Sequence, residues 1–387
     1  MLISRIKLKN WRNFKAVDIH LQGRTFLVGP NAAGKSNFLD VLRFLRDIAK
    51  ADGGGLQKAI RDRGGISKLR CLAARKDPEI MIAIAFIEDE DDDEPIWEYS
   101  LGIRQEPRGD RRPYVSFEKV KERGETILSR PNSEDKGDAE RLKQTHLEQV
   151  STNTAFREVA RFLEAITYLH LVPQLIRYAE QFQGKGLDDD PFGQGFLERV
   201  AAAPDKTRTS RLKRIQAALR VAVPQMKELQ FVRDPNNGKP HLEALYAHWR
   251  PNAGWQREDQ FSDGTLRLIG LLWCLLERDS VLLLEEPELS LNAAIVRRLA
   301  GVIARVQRTR ERQILISTHS IDLLADQGID ASEVLILQPN PEGTTVRSVA
   351  EVPEVVALLE GGMSVGDAVL PLTAPTSQLA QLSRFDE

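Results

Sequence analysis

Cysteine is nearly absent from this chain. Only Cys71 and Cys274 occur among 387 residues, which excludes a disulfide framework and a thiolate zinc site. Cys274 lies in the apolar run "LLWCLL" and reads as a small buried hydrophobe. Long apolar runs are lacking too: none approaches the roughly 18 to 20 residues of a membrane span. The opening "MLISRIKLKNWRNF" alternates apolar and polar residues without the apolar centre of a signal peptide. A cytoplasmic protein without membrane contact is expected. Charge of one sign is scarce as well, since 54 basic and 56 acidic side chains leave a formal net charge of -2. Bulk charge therefore does not call for nucleic acid, and any DNA-binding surface has to be a local patch. No internal repeat and no sustained heptad pattern is present, which excludes a long coiled-coil arm.

What is present is an ordinary globular composition, 42% hydrophobic and 28% charged. The length suits two or three domains, or one large enzyme domain with an insertion. Alternation and short apolar runs predict strands over 2–8, 16–21, 25–28, 79–87, 97–103 and 113–119. The acid run "EDEDDDEP" (88–95) reads as a solvated turn, lacking the defined spacing of a metal site. From about Val120 to Arg220 the pattern is helical, broken by polar stretches such as "GKGLDDDPFGQG" (184–195). Extended structure returns at 228–233 and 241–248. Helix 264–277, strand 281–284, helix 292–308 and strand 313–317 follow, an alternation that implies a largely parallel sheet. The expected α/β organisation is an N-terminal lobe (1–119), a helical insertion (120–225), a C-terminal lobe (226–372) and a flexible tail (373–387).

"GPNAAGKS", Gly29 to Ser36, completes G-x-x-x-x-G-K-[ST] between an expected strand and an expected helix. Glycines let backbone N–H groups converge on a triphosphate, and the helix N-terminus adds roughly half a positive charge. The predicted ATP cradle comprises Gly29, Asn31, Ala32, Ala33, Gly34, Lys35, Ser36 and Asn37. Lys35 reaches the β and γ phosphates there, and the Ser36 hydroxyl ligates Mg²⁺. "VLLLEEPE" places carboxylates at the end of a buried strand, where open α/β sheets bind ligands. Glu285 is expected to hold Mg²⁺ directly or through water, Asp being the commoner residue at that position. Glu286 is expected to serve phosphoryl transfer as general base or water-positioner. "ILISTHS" ends a second apolar strand, and His319 at its tip is expected to sense the γ-phosphate. His20, His146, His170, His241 and His248 have no such setting and receive no role.

"GPNAAGKS", "FSDGT", "LLLEEPE" and "STHS", in that order and spacing, resemble the ABC-type ATPases of the RecF and SMC class. More closely, the chain looks like the bacterial AAA-type ATP-binding proteins related to the ATPase half of the OLD family. The resemblance covers roughly Met1 to Leu372. It implies an ABC-type P-loop ATPase head with a mixed β-sheet lobe. "KNWRNF" (9–14) is similar to the opening strand motif of that class, where an arginine near Arg12 approaches the nucleotide. In the class, the signature helix of one protomer points its N-terminus at the γ-phosphate held by another. Ser262, Asp263, Gly264 and Thr265 occupy that tip, and Asp263 is tolerable near phosphate only if it points away. A head-to-tail homodimer with two composite ATP sites is therefore implied, along with a separate effector such as a nuclease, a TOPRIM-like protein or a toxin. DNA is an open partner: Lys206, Arg208, Arg211, Lys213, Arg214 and Arg220 could contact phosphates or form a solvated helical face. Repair ATPases and transporter subunits are the alternative functions. Gln57 lacks the context of a Q-loop glutamine, which leaves one Mg²⁺ ligand unassigned.

Overall fold

The structure is a computed structural model, describing residues 1–179, 190–250, 254–277 and 280–373. Alternation over the first twenty residues produces an antiparallel hairpin of β1 (Leu2–Trp11) and β2 (Phe14–His20). The fully buried β3 (Arg24–Val28) then leads into the phosphate loop and the helix Lys35–Ala49. β4 (Ile80–Ile87), β5 (Trp97–Gln105), β6 (Pro113–Glu122) and β7 (Glu125–Arg130) join the first hairpin in a six-stranded antiparallel sheet, ordered β2-β1-β4-β5-β6-β7. Next come the helix Arg157–Glu164 and the short β8 (Thr167–Leu169). Helices Phe196–Ala202 and Asp205–Ala222 pass the chain to a small antiparallel sheet of β9 (Met226–Arg233), β10 (Pro240–Tyr246) and β11 (Trp255–Arg257).

The remaining third builds the nucleotide lobe. Helix Asp263–Leu275 precedes β12 (Leu282–Glu285), and helix Ala293–Arg310 precedes β13 (Ile314–Thr318), β14 (Val334–Asn340) and β15 (Gly343–Ser348). The central sheet runs β15-β14-β3-β13-β12-β8, parallel throughout except for the edge strand β15. Parallel sheets covered on both faces need apolar residues at successive positions, and the packing shows why. Leu27, Leu283, Leu315 and Leu335 face one core, while Phe26, Leu282, Leu284, Ile314, Ile316 and Ile336 face the other. The phosphate-loop strand β3 and the glutamate-bearing β12 are thus separated by β13, and all three end on the same edge.

The helical reading of residues 120–225 needs two corrections. β6 continues to Glu122, and Arg123 and Gly124, with φ of 46° and 83°, turn the chain directly into β7. Two successive positive-φ residues make the tight hairpin turn whose twist matches its strands. β8 is a second exception, a three-residue strand on the edge of the parallel sheet beside β12, too short to show a period. The segment therefore feeds both large sheets, although its other regular elements are helical. Of the polar stretch 184–195, only 190–195 fall within the described residues, and positions 374–387 of the expected tail lie outside them. No helix among the described residues is long and apolar enough to cross a membrane.

Candidate nucleotide site

The phosphate loop is shaped by close approach. A Cβ on Gly29 would sit 2.5 Å from the Leu337 carbonyl oxygen. Gly34, at φ 98°, would drive one to 2.1 Å from Asn13 Nδ2, so both positions demand glycine. Asn31 and Ala32 are exposed, while Ala33 is buried and anchors the loop. Lys35 begins the helix and is only 6% exposed. Its ammonium folds back to donate to the carbonyls of Gly29 (3.0 Å) and Pro30 (3.2 Å). Burial pushes its pKa down to about 8, against the upward pull of Glu286, Glu285 and Glu288.

The carboxylates arrive from β12. Glu285 accepts a hydrogen bond from the Ser36 hydroxyl across 249 residues of sequence. That puts a hydroxyl and a carboxylate, hard oxygen donors of the kind Mg²⁺ prefers, in contact at the mouth of the phosphate loop. The residues present therefore fit a magnesium nucleotide, with Ser36 and Glu285 as the side chains to hold the metal. Glu286 follows with φ 46°, a left-handed conformation that costs about 1 kcal/mol or more outside glycine. Three contacts hold it: its N–H donates to Ser317 O at 2.9 Å, and its carbonyl accepts from Arg267 and from Leu289 N, each at 3.3 Å. The bend turns its carboxylate toward His319, with Nε2 3.3 Å from Oε1.

His319 ends β13 as expected, and its Nδ1 lies 3.3 Å from Lys35 Nζ. Burial and the adjacent lysine lower its pKa, with Glu286 opposing, which favours the neutral ring at pH 7. An ammonium can only donate, so Nδ1 accepts and Nε2 carries the proton toward Glu286. Lys35, Ser36, Glu285, Glu286 and His319 are thus brought together as the sequence suggested.

The signature tip stands at the surface. Ser262 is exposed and caps its own helix, its Oγ accepting from Thr265 N at 3.2 Å. Thr265 is buried, and a Cβ on Gly264 would meet Ser290 O at 2.6 Å, so the tip packs closely on the loop after β12. Asp263 is held within its own protomer. Arg177 and Gln174 take its carboxylate at 2.5 and 2.7 Å.

Three further side chains weighed for the site are engaged within the protein. The guanidinium of Arg12 is engaged by Asp40 at 2.6 Å, in the second turn of the helix after the phosphate loop. Asp40 is buried and needs compensation; against that burial, Arg63 and Arg12 hold it below the ordinary carboxylate range. Asn37 turns its side chain to Asn13 rather than outward, donating to Oδ1 at 2.8 Å. Gln57 donates to the carbonyls of Pro113 and Lys143 and is structural.

Other residues at the site escaped the sequence reading. Asn13 donates to Ala33 O and Thr344 Oγ1, clamping the loop to the β1–β2 turn; its place in "KNWRNF" was the available signal. Glu288, 8% exposed, accepts from Thr318 Oγ1 at 2.6 Å, and burial raises its pKa. Arg267 reaches Glu286 from the signature helix, its own pKa lowered by burial. Tyr168 donates to Glu285 Oε2, and His170 Nδ1 lies 3.2 Å from the Glu285 carbonyl. No local pattern announces these last two, because β8 is only three residues long.

With this geometry in view, similarity to known proteins becomes informative. The family described as "AAA domain, putative AbiEii toxin, Type IV TA system" matches residues 24–326. The chain belongs to that family. Over 47 residues it is 49% identical to Endonuclease GajA of Bacillus cereus (strain VD045), covering 12% of this chain and 8% of that protein. Over 62 residues it is 34% identical to the DNA replication and repair protein RecF of Roseiflexus castenholzii (strain DSM 13941 / HLO8), 16% of each chain. The matched segments thus span a small part of these relatives. Among solved structures, the SMC head bound to the C-winged helix domain of ScpA aligns with 90% of this chain and 97% of that one, at 17% identity and a TM-score of 0.52. That likeness establishes the fold, an ABC-type P-loop head. The chain thus combines the fold of an ABC-type P-loop head with short segments similar to RecF and GajA.

Proposed function

We propose that this ATPase binds ATP with Mg²⁺ in the loop Gly29–Ser36 and uses it to join two copies head to tail. The reading rests above all on one observation: Lys35, Ser36, Glu285, Glu286 and His319 meet at one sheet edge, while the Ser262 helix tip is exposed. In the composite site, Lys35 neutralises phosphate charge while Ser36 and Glu285 hold the metal. Glu286 takes a proton from the attacking water at its carboxylate, and His319 orients that carboxylate through Nε2–H. Ser262 and the backbone amides beside Gly264 cap the phosphates of the other copy, with Asp263 held aside by Arg177. ATP then acts as glue, since a ligand that binds only the joined state stabilises it. Glu286→Gln should lower turnover by about a hundredfold or more, as loss of a general base does, and should trap a dimer with ATP and Mg²⁺. Light scattering that finds this variant monomeric at saturating ATP refutes the composite site.

The biological setting we assign is bacterial anti-phage defence, with the ATPase controlling a separate effector such as a nuclease, a TOPRIM-like protein or a toxin. The local match to GajA, which its name identifies as an endonuclease, supports this. The match to RecF supports a second reading, a DNA repair and recombination ATPase. The product of the adjacent reading frame discriminates: a nuclease or toxin that binds this ATPase favours defence, whereas a transmembrane permease removes both.

A further inference from the structure

Glu285 is one methylene longer than the aspartate commonly found at its position, and each added rotatable bond is freedom that has to be restrained. Both of its carboxylate oxygens are engaged. Oε1 accepts from Ser36 Oγ, and Oε2 accepts from the hydroxyl of Tyr168 on the adjacent strand β8. Tyr168 is itself 5% exposed, and its ring lies under the Arg43 guanidinium, 4.0 Å from carbon to centroid. Arg43 belongs to the helix Lys35–Ala49, seven residues after Ser36 and on the same face. One helix thus touches both ends of the Glu285–Tyr168 pair.

We infer that Tyr168 is a positioning residue that makes Glu285 a one-oxygen metal ligand. Its hydroxyl retains Oε2, Arg43 pins its ring, and Oε1 is left beside Ser36 for a divalent cation. The inference rests on the nucleotide-site reading and adds to it the element that compensates for glutamate in place of aspartate.

Tyr168→Phe keeps the ring and its stacking under Arg43 and removes only the hydroxyl. Binding of a fluorescent ADP analogue to the full chain is measured in EDTA and across a Mg²⁺ titration. Affinity in EDTA should match wild type, while the Mg²⁺ midpoint rises by about tenfold, the scale on which partners of metal ligands act. A merely structural tyrosine would not separate these two readouts. In a Glu285→Asp background the shorter carboxylate does not reach Tyr168, so adding Tyr168→Phe should leave the Mg²⁺ midpoint where it was. Identical midpoints for wild type and Tyr168→Phe, or an equal shift in both backgrounds, would overturn the inference alone. Wild-type binding without any response to Mg²⁺ would overturn the nucleotide-site reading and this inference with it.

Discussion

Lys35 sits between two opposing influences, a buried position that disfavours its charge and three glutamates that favour it, and burial wins. Its pKa of about 8 has a consequence for binding. A triphosphate favours the ammonium and raises that pKa in the complex, so binding takes up a proton once the free protein has lost its own. Affinity is therefore fully present below pH 8 and falls as pH rises above it, by up to about tenfold per unit until the pKa of the complex is reached. Titrations of a fluorescent ATP analogue between pH 7 and 9.5 check this; a flat profile would mean that Lys35 stays charged. Glu286 illustrates strain at the same scale. Its left-handed backbone persists because Ser317 and Arg267 hold both of its peptide groups, and the strain aims a carboxylate that a regular strand would carry elsewhere.

At the scale of elements, the signature helix and the short helix Pro173–Arg177 act as a pair. Arg177 donates to the Asp263 carboxylate and to the Phe261 carbonyl, anchoring the negative charge of the tip away from its exposed serine. Removing the arginine frees an anion next to the surface proposed to cap phosphate. Arg177→Ala should weaken the ATP-dependent dimer of the Glu286→Gln variant by about tenfold, on the scale of about 1–2 kcal/mol for a partly buried charged pair. Arg177→Ala combined with Asp263→Asn should restore most of the loss. Sedimentation across an ATP titration reads both, and failure of the rescue would show that Arg177 acts through packing instead. The hairpin of β6 and β7 and the edge strand β8 teach a related lesson. β7 and β8 are short, and each is placed by its neighbour rather than by its own period.

For the whole molecule, the helix Asp205–Ala222 separates charge that is structural from charge that is available. Arg208 binds the Ala201 and Ala203 carbonyls, Arg211 donates to Glu277 O over the Trp273 ring, and Arg220 binds Lys227 O. Lys206, Lys213 and Arg214 are exposed on the same helix. If DNA is the partner, replacing Lys213 and Arg214 with alanine should reduce the slope of log affinity against log salt by about two, roughly one per lost phosphate contact. Their thermal stability should match wild type, whereas Arg211→Ala should melt earlier. An unchanged salt slope in filter binding removes this helix from the DNA-binding surface. The amino-acid order alone determined the phosphate loop, the strand with two glutamates, the histidine strand and the serine tip, because each is a contiguous run whose chemistry depends on local backbone geometry. Only the tertiary structure decided that Arg12 serves Asp40, that Asn13 clamps the loop, and that Tyr168, stacked under Arg43, reaches Glu285. Those pairings join residues on different elements, and no local periodicity encodes a partner that only tertiary packing brings near.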